Sequence, residues 1–69
     1  MENIDSYFDD LKDKARTAQN KNALKFIAHK GSDAVKSVSL PYVNPSMKKK
    51  AIRLNKQLVK IIRKRAKHL

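Results

Sequence analysis

Hydrophobic residues recur at helical spacing in three segments of this 69-residue chain, and a polar or proline-containing stretch separates each segment from the next. Within each segment the apolar positions follow the i, i+3, i+4, i+7 pattern, which places them on one side of an α-helix. We therefore predict helices at about residues 4–18, 22–38 and 45–67 of a single domain. The predicted fold class is all-α: a helical hairpin followed by a long basic amphipathic C-terminal helix.

The first predicted helix combines an apolar stripe with an acidic beginning. The stripe comprises Ile4, Tyr7, Phe8, Leu11, Ala15 and Ala18. Asn3 or Asp5 can cap this helix, and acidic residues near its start suit the positive end of the helix dipole. The polar sequence QNKN that follows forms helices poorly, so we expect a turn there that folds the first two helices into a hairpin.

The second predicted helix contains the only glycine of the chain. Its apolar stripe comprises Leu24, Ile27, Ala28, Gly31, Val35 and Val38. Gly31 has two interpretations: it ends one helix before Ser32 starts a new turn, or it allows another helix to approach closely. We favour a break, because glycine inside a helix costs about 1 kcal/mol relative to alanine.

The stretch SLPYVNPS connects the hairpin to the third helix. The residue before each proline is driven towards extended backbone, so we predict a crossover at residues 39–44. Three side chains of this crossover are expected to pack against the core: Leu40, Tyr42 and Val43. Asn44 followed by Pro45 is typical of a helix start, with a capping side chain and then a proline in the first helical position.

The third predicted helix has an apolar side and a basic side. The apolar positions cover nearly half of its circumference: Met47, Ala51, Ile52, Leu54, Leu58, Val59, Ile61, Ile62, Ala66 and Leu69. The opposite side carries seven basic residues: Lys49, Arg53, Lys56, Lys60, Arg63, Lys64 and Lys67. Lys48 and Arg65 fall in or near the apolar arc, where long side chains reach water by extending past apolar neighbours.

Charge is distributed very unevenly along the chain. Residues 47–69 hold ten of the 17 Lys and Arg residues and none of the six Asp and Glu residues, in a chain of net charge +11. Five acidic residues lie near the beginning: Glu2, Asp5, Asp9, Asp10 and Asp13. The helix dipole explains this acidic cluster. The alternative is that it pairs with the basic helix, within one chain or between subunits.

The basic side of the third helix predicts a polyanionic partner. Like charges on one helix face repel one another unless a polyanion lies beside them, and a helix selected only for solubility mixes both signs. Nucleic acid is favoured over an anionic membrane, because membrane-surface helices usually carry Trp or Phe on the apolar side and this helix has neither. Lysines outnumber arginines 13 to 4, which favours phosphate binding over base readout.

The sequence therefore predicts a small nucleic-acid-binding protein with a regulatory or architectural role, with DNA favoured over RNA. Arg53 and Arg63 are the best suited to touch bases, because guanidinium groups match base edges. A second hypothesis is a phage- or plasmid-type adaptor or inhibitor that docks on an acidic host protein. Peripheral binding to an anionic membrane is the third hypothesis.

We also expect a homodimer, because a core of this size contributes only about 3–5 kcal/mol of net stability. The candidate protein-interface residues are Phe26, Tyr42, Leu54, Leu58 and Ile61. Phe26 lies off its own helix stripe. It either packs beneath the crossover or in a subunit interface, or it stacks on a base or contacts another protein.

Neither catalysis nor metal binding is expected, and we predict no cofactor. The chain has no cysteine, and its two histidines, His29 and His68, are 39 positions apart. Asp33 lies at i+4 from His29, a spacing that indicates a surface contact rather than a catalytic dyad. No signal-like segment is recognisable, and the longest uncharged run is too short to span a bilayer, so we expect a cytoplasmic protein.

Overall fold

The described part of the chain folds into three α-helices. A computed structural model describes residues 3–69 and places α1 at Ile4–Arg16, α2 at Lys21–Ser37 and α3 at Pro45–Ala66. The predicted all-α class is confirmed, and the observed helix ends differ from the predicted ones by at most two residues.

Each helix begins at an asparagine whose side chain binds a backbone N–H group of the first turn. These caps are Asn3, Asn20 and Asn44, with oxygen–nitrogen distances of 2.9, 2.8 and 2.8 Å. Each cap satisfies one of the amide groups that a helix start leaves unpaired. At α3 the cap is followed by Pro45, whose fixed φ suits the first helical position.

The helices form an up-down-up bundle. Three side-chain bonds connect α1 and the residues just after it to α3 in the same order along both segments: Asp5 with Lys50, Lys12 with Gln57, and the Ala18 carbonyl with Arg65. The helices α1 and α3 are therefore parallel. The short connections at both ends of α2 make it antiparallel to its two neighbours. The resulting bundle measures 40 × 18 × 16 Å.

A single hydrophobic core runs between the three helices. Its buried members are Phe8, Leu11, Ala15, Ala18, Leu24, Ile27, Ala51, Leu54 and Leu58. All nine belong to the three stripes read from the sequence, and α3 packs against both α1 and α2. The predicted arrangement, a hairpin covered by a long third helix, is confirmed.

The expected break at Gly31 was wrong, and the alternative interpretation of close helix approach describes this residue. The helix α2 continues through Gly31, which is buried and has an ordinary backbone conformation. A β-carbon added there would lie 2.5 Å from Asn55 Oδ1 and 2.9 Å from Leu58 Cδ2. Glycine therefore allows α3 to lie against α2, which offsets its low helix propensity.

Two of the three connector side chains expected in the core do not reach it. Leu40 is 42% exposed and Tyr42 is 83% exposed, whereas Val43 is half-buried. Because α2 and α3 are antiparallel, the chain has only to turn at one end of the bundle. The Val43 N–H donates to the Leu40 carbonyl at 3.0 Å in this turn. Leu40 and Tyr42 therefore lie on the outside of this turn rather than in the core.

The close contact at Gly31 yields a stability prediction. Gly31→Ala should gain about 1 kcal/mol in helix propensity but lose about 1–3 kcal/mol to overpacking against Asn55 and Leu58. In an Asn55→Ala background the nearest obstructing atom is absent and the Leu58 methyl group has room to move. We expect a double-mutant cycle, measured by urea denaturation, to give a coupling free energy of about 1 kcal/mol. Additive effects would show that the contact does not limit helix approach.

Candidate nucleic-acid interface

Six basic residues of α3 and its C-cap residue Lys67 share one side of the helix, and we call this side the basic face. It comprises Lys49, Arg53, Lys56, Lys60, Arg63, Lys64 and Lys67. All seven side chains are exposed, and from Lys49 to Lys67 the basic face extends about 27 Å at 1.5 Å per residue.

The orientation of the basic face follows from the core residues of the same helix. Ala51, Leu54 and Leu58 are buried, which fixes the rotation of α3 about its own axis. Successive residues of an α-helix are about 100° apart, so Lys56 and Lys60 lie on the side opposite Leu54 and Leu58. The basic residues therefore point to solvent because the apolar residues point inward.

The basic face is electrostatically uncompensated. None of its seven side chains forms an ion pair or a hydrogen bond with another group in residues 3–69. The sequence has no acidic residue after Asp33, so no carboxylate side chain occurs anywhere in α3. Repulsion between these neighbouring positive charges disfavours the free protein and is relieved by a polyanion.

Two other basic residues of α3 have structural partners instead. The Lys50 ammonium group pairs with the Asp5 carboxylate of α1 at 2.5 Å. The half-buried Arg65 donates from Nε to the Ala18 carbonyl at 2.9 Å, in the turn after α1. Lys48, by contrast, is exposed and does not need to extend past apolar neighbours as the sequence had suggested.

Two of the four acidic residues of α1 pair within their own helix. Asp10 binds Lys14 at 3.0 Å and Asp13 binds Arg16 at 2.9 Å. Only the bond from Asp5 to Lys50 connects this acidic cluster to α3 in the described part of the chain. Glu2 lies outside the described residues. Intrachain pairing with the acidic cluster therefore leaves the basic face free.

The predicted protein-interface residues are divided between core and surface. Leu54 and Leu58 are buried by the chain itself, so placing them in an interface was wrong for the folded monomer. Ile61 is half-buried against the core. A homodimer stays a prediction and would have to use other residues of α3, such as the exposed Ile52.

The aromatic residues Phe26 and Tyr42 are surface features. Phe26 is 62% exposed, so it does not pack beneath the crossover. The Lys30 ammonium group lies 4.9 Å from its ring centroid, which is a cation–π distance. Tyr42 is on the turn between α2 and α3 and extends into solvent. Both rings are therefore accessible to a partner.

The fold also brings together basic residues that the sequence analysis did not connect. Arg16, at the end of α1, shares a cavity with Lys64, Arg65 and His68. Arg16 is 48 to 52 positions away from the other three residues, so no local spacing indicates that they meet. A second hollow at the start of α3 is lined by Ser46, Lys49, Lys50 and Arg53. Basic side chains thus line both ends of α3.

Comparisons with known protein families, curated proteins and solved structures found no match to this chain. Within residues 3–69, no helix has the length and apolar character needed to cross a membrane. The same residues contain no group of three or more His, Cys, Asp or Glu side chains placed to hold a metal ion.

Arg63 and Arg65 provide a test of which basic residues of α3 stabilise the fold. Arg65→Ala should lower the free energy of unfolding by about 1.5–3 kcal/mol, because it removes a charged hydrogen bond to the Ala18 carbonyl. Arg63→Ala should change it by less than about 0.5 kcal/mol, since Arg63 is exposed and unpaired. Urea denaturation of both variants measures the difference. Equal effects would contradict a structural role for Arg65.

Proposed function

We propose that this protein binds nucleic acid, with DNA favoured over RNA, by placing the basic face of α3 against the phosphate backbone. The single observation that carries the proposal is the basic face itself: seven exposed, unpaired positive side chains along one rigid helix and its C-cap, with no acidic residue among them. We further propose a regulatory or architectural role in the cytoplasm.

The energetics of phosphate binding suit this surface. Each lysine or arginine that neutralises a phosphate releases condensed counterions, and this release supplies most of the affinity of sequence-independent binding. Binding also removes the repulsion between neighbouring residues of the basic face, such as Lys56 and Lys60 at i, i+4. Five of the seven residues are lysines, which act as point charges, so backbone contacts dominate. Arg53 and Arg63 are the candidates for contacts with base edges.

The dimensions of α3 favour DNA over double-stranded RNA. The basic face extends about 27 Å, a little less than one turn of B-DNA at about 34 Å. The major groove of B-DNA admits an α-helix, whereas the major groove of A-form RNA is deep and too narrow for side chains to read. A helix that presents one straight basic side therefore matches duplex DNA better.

Burial of the apolar side of α3 favours nucleic acid over a membrane. A helix that lies on a bilayer inserts its apolar side among the lipids. In this protein Ala51, Leu54 and Leu58 are buried against α1 and α2, so membrane insertion would require the bundle to open. Nucleic acid needs only the basic face, which is already exposed.

Salt dependence tests the proposal. If about six residues of the basic face contact phosphates, log K for a duplex of about two helical turns should fall with log salt at a slope near −5. The triple variant Lys49→Gln, Lys56→Gln, Lys60→Gln should reduce that slope by roughly half, because it removes three contacts. Fluorescence anisotropy at several salt concentrations measures both slopes.

A matched control separates the basic face from net charge. Lys21, Lys25 and Lys36 are exposed lysines of α2, and changing all three to glutamine removes the same charge from another surface. We expect this control to keep the slope of the native protein. A flat salt response of the native protein, or equal losses in the two triple variants, would overturn the proposal. Circular dichroism checks that every variant remains helical.

The exposed aromatic rings favour a second candidate function, an adaptor that docks on an acidic host protein. Phe26 and Tyr42 offer apolar contact area of the kind found at binding hot spots. A pull-down from nuclease-treated lysate distinguishes the two functions. One stoichiometric protein partner that is lost in the Phe26→Ala, Tyr42→Ala variant would support the adaptor. Loss of all partners after nuclease treatment would support nucleic-acid binding.

A further inference from the structure

A cavity of about 310 Å³ lies where the end of α1 meets the end of α3, and we call it the C-terminal pocket. Its lining comprises Arg16, Ile61, Lys64, Arg65 and His68. Four of these five side chains carry N–H donors, none is acidic, and Ile61 supplies an apolar wall. Basic side chains from α1 and from the end of the chain therefore line one open hollow, whose exposed wall is mainly apolar.

Arg65 is held in place by the fold. Its Nε donates to the Ala18 carbonyl at 2.9 Å, which restrains the guanidinium group. An arginine has five N–H groups, and the terminal nitrogens of Arg65 form no bond with any other group in the described range. These free donors have the paired geometry that matches two oxygens of a phosphate.

Arg16 approaches the same cavity from the other helix. Its Nη1 atom donates to the Asp13 carboxylate at 2.9 Å, which restrains the side chain and neutralises part of its charge. The negative ends of the helix dipoles explain why basic residues occur in the last turns of α1 and α3. They do not explain why Arg16 and Arg65 line one cavity together with Lys64 and His68.

We propose that the C-terminal pocket binds a phosphate group. Arg65 and Arg16 contact the phosphate oxygens through their guanidinium groups, and Lys64 and His68 donate further hydrogen bonds. That this phosphate belongs to a nucleic acid rests on the proposed function. Lys64 belongs to both the pocket and the basic face, so a strand that follows the basic face passes the opening of the pocket. The phosphate is then either an internal one or the terminal phosphate of a strand.

Inorganic phosphate tests the pocket without any nucleic acid. In ¹H–¹⁵N NMR spectra, the side-chain Nε–H signals of Arg65 and Arg16 should shift in a saturable way with sodium phosphate and not with sodium chloride at equal ionic strength. Arg16→Gln and His68→Gln should each weaken phosphate binding roughly tenfold, since each removes one donor to a charged group. Lys25→Gln, a change on the exposed side of α2, should have no effect.

Arg16 and His68 are exposed, so their substitution should not unfold the protein. The test therefore does not depend on a variant of Arg65. Equal signal shifts with phosphate and chloride would refute phosphate binding in the C-terminal pocket. Unchanged phosphate affinity in Arg16→Gln would refute it as well. Such a failure would leave the basic face intact, because Lys49, Lys56 and Lys60 do not line the pocket. Saturable phosphate binding in a protein that shows no affinity for either DNA or RNA would instead support the pocket and refute the proposed function.

Two duplexes of the same sequence distinguish the sources of the phosphate. One carries 5′-phosphates and the other carries 5′-hydroxyl groups. Preferential binding of the phosphorylated duplex, abolished by Arg16→Gln, would assign the pocket to a terminal phosphate, whose second ionisation adds charge. Equal binding of both duplexes, weakened in both by Arg16→Gln, would assign it to an internal phosphate. Equal binding with no effect of Arg16→Gln would exclude nucleic-acid phosphate from the pocket.

Discussion

Burial of one side of α3 is the constraint on which the rest of this structure depends. The helices α1 and α2 each present an apolar stripe that cannot remain in water, and the apolar side of α3, with Leu54 and Leu58 in the core, packs against both helices. Because a helix is rigid, fixing these two side chains fixes the direction of every other side chain on α3. Seven positive charges are thereby held along one line on the surface.

The hydrophobic core that orients α3 is small, and the positive charge of the basic face lowers the stability of the fold. Among residues 3–69, nine hydrophobic side chains form the buried core, and no polar or charged side chain is buried. A core of this size gives a few kcal/mol, while repulsion along the basic face lowers the stability of the free protein. A polyanion that binds only the folded state would raise the stability, since any such ligand shifts the folding equilibrium. Binding of a polyanion to the proposed site would thus be coupled to folding through α3.

Local sequence patterns were sufficient to predict the helices but not the contacts between the helices. The stripes of α1, α2 and α3 and the cap at Asn44 follow from periodicity and helix-start chemistry, both of which are local. The role of Gly31 depends on Asn55 of another helix, so helix propensity alone gave the wrong answer. Leu40 and Tyr42 were misplaced because their burial depends on the path of the connector. The cavity shared by Arg16 and Arg65 has no local signature either.

Arg63 and Arg65 show how position around the helix axis assigns different roles to identical residues. They are two positions apart, which places them about 160° from each other when viewed along the axis. Arg65 therefore lies on the side that faces α1, where it binds the Ala18 carbonyl, while Arg63 belongs to the exposed basic face. Composition counts them as equal contributions to the net charge. The buried leucines set the rotation of α3 about its axis. As a result Arg65 forms a bond to the residues after α1, while Arg63 stays free for a partner.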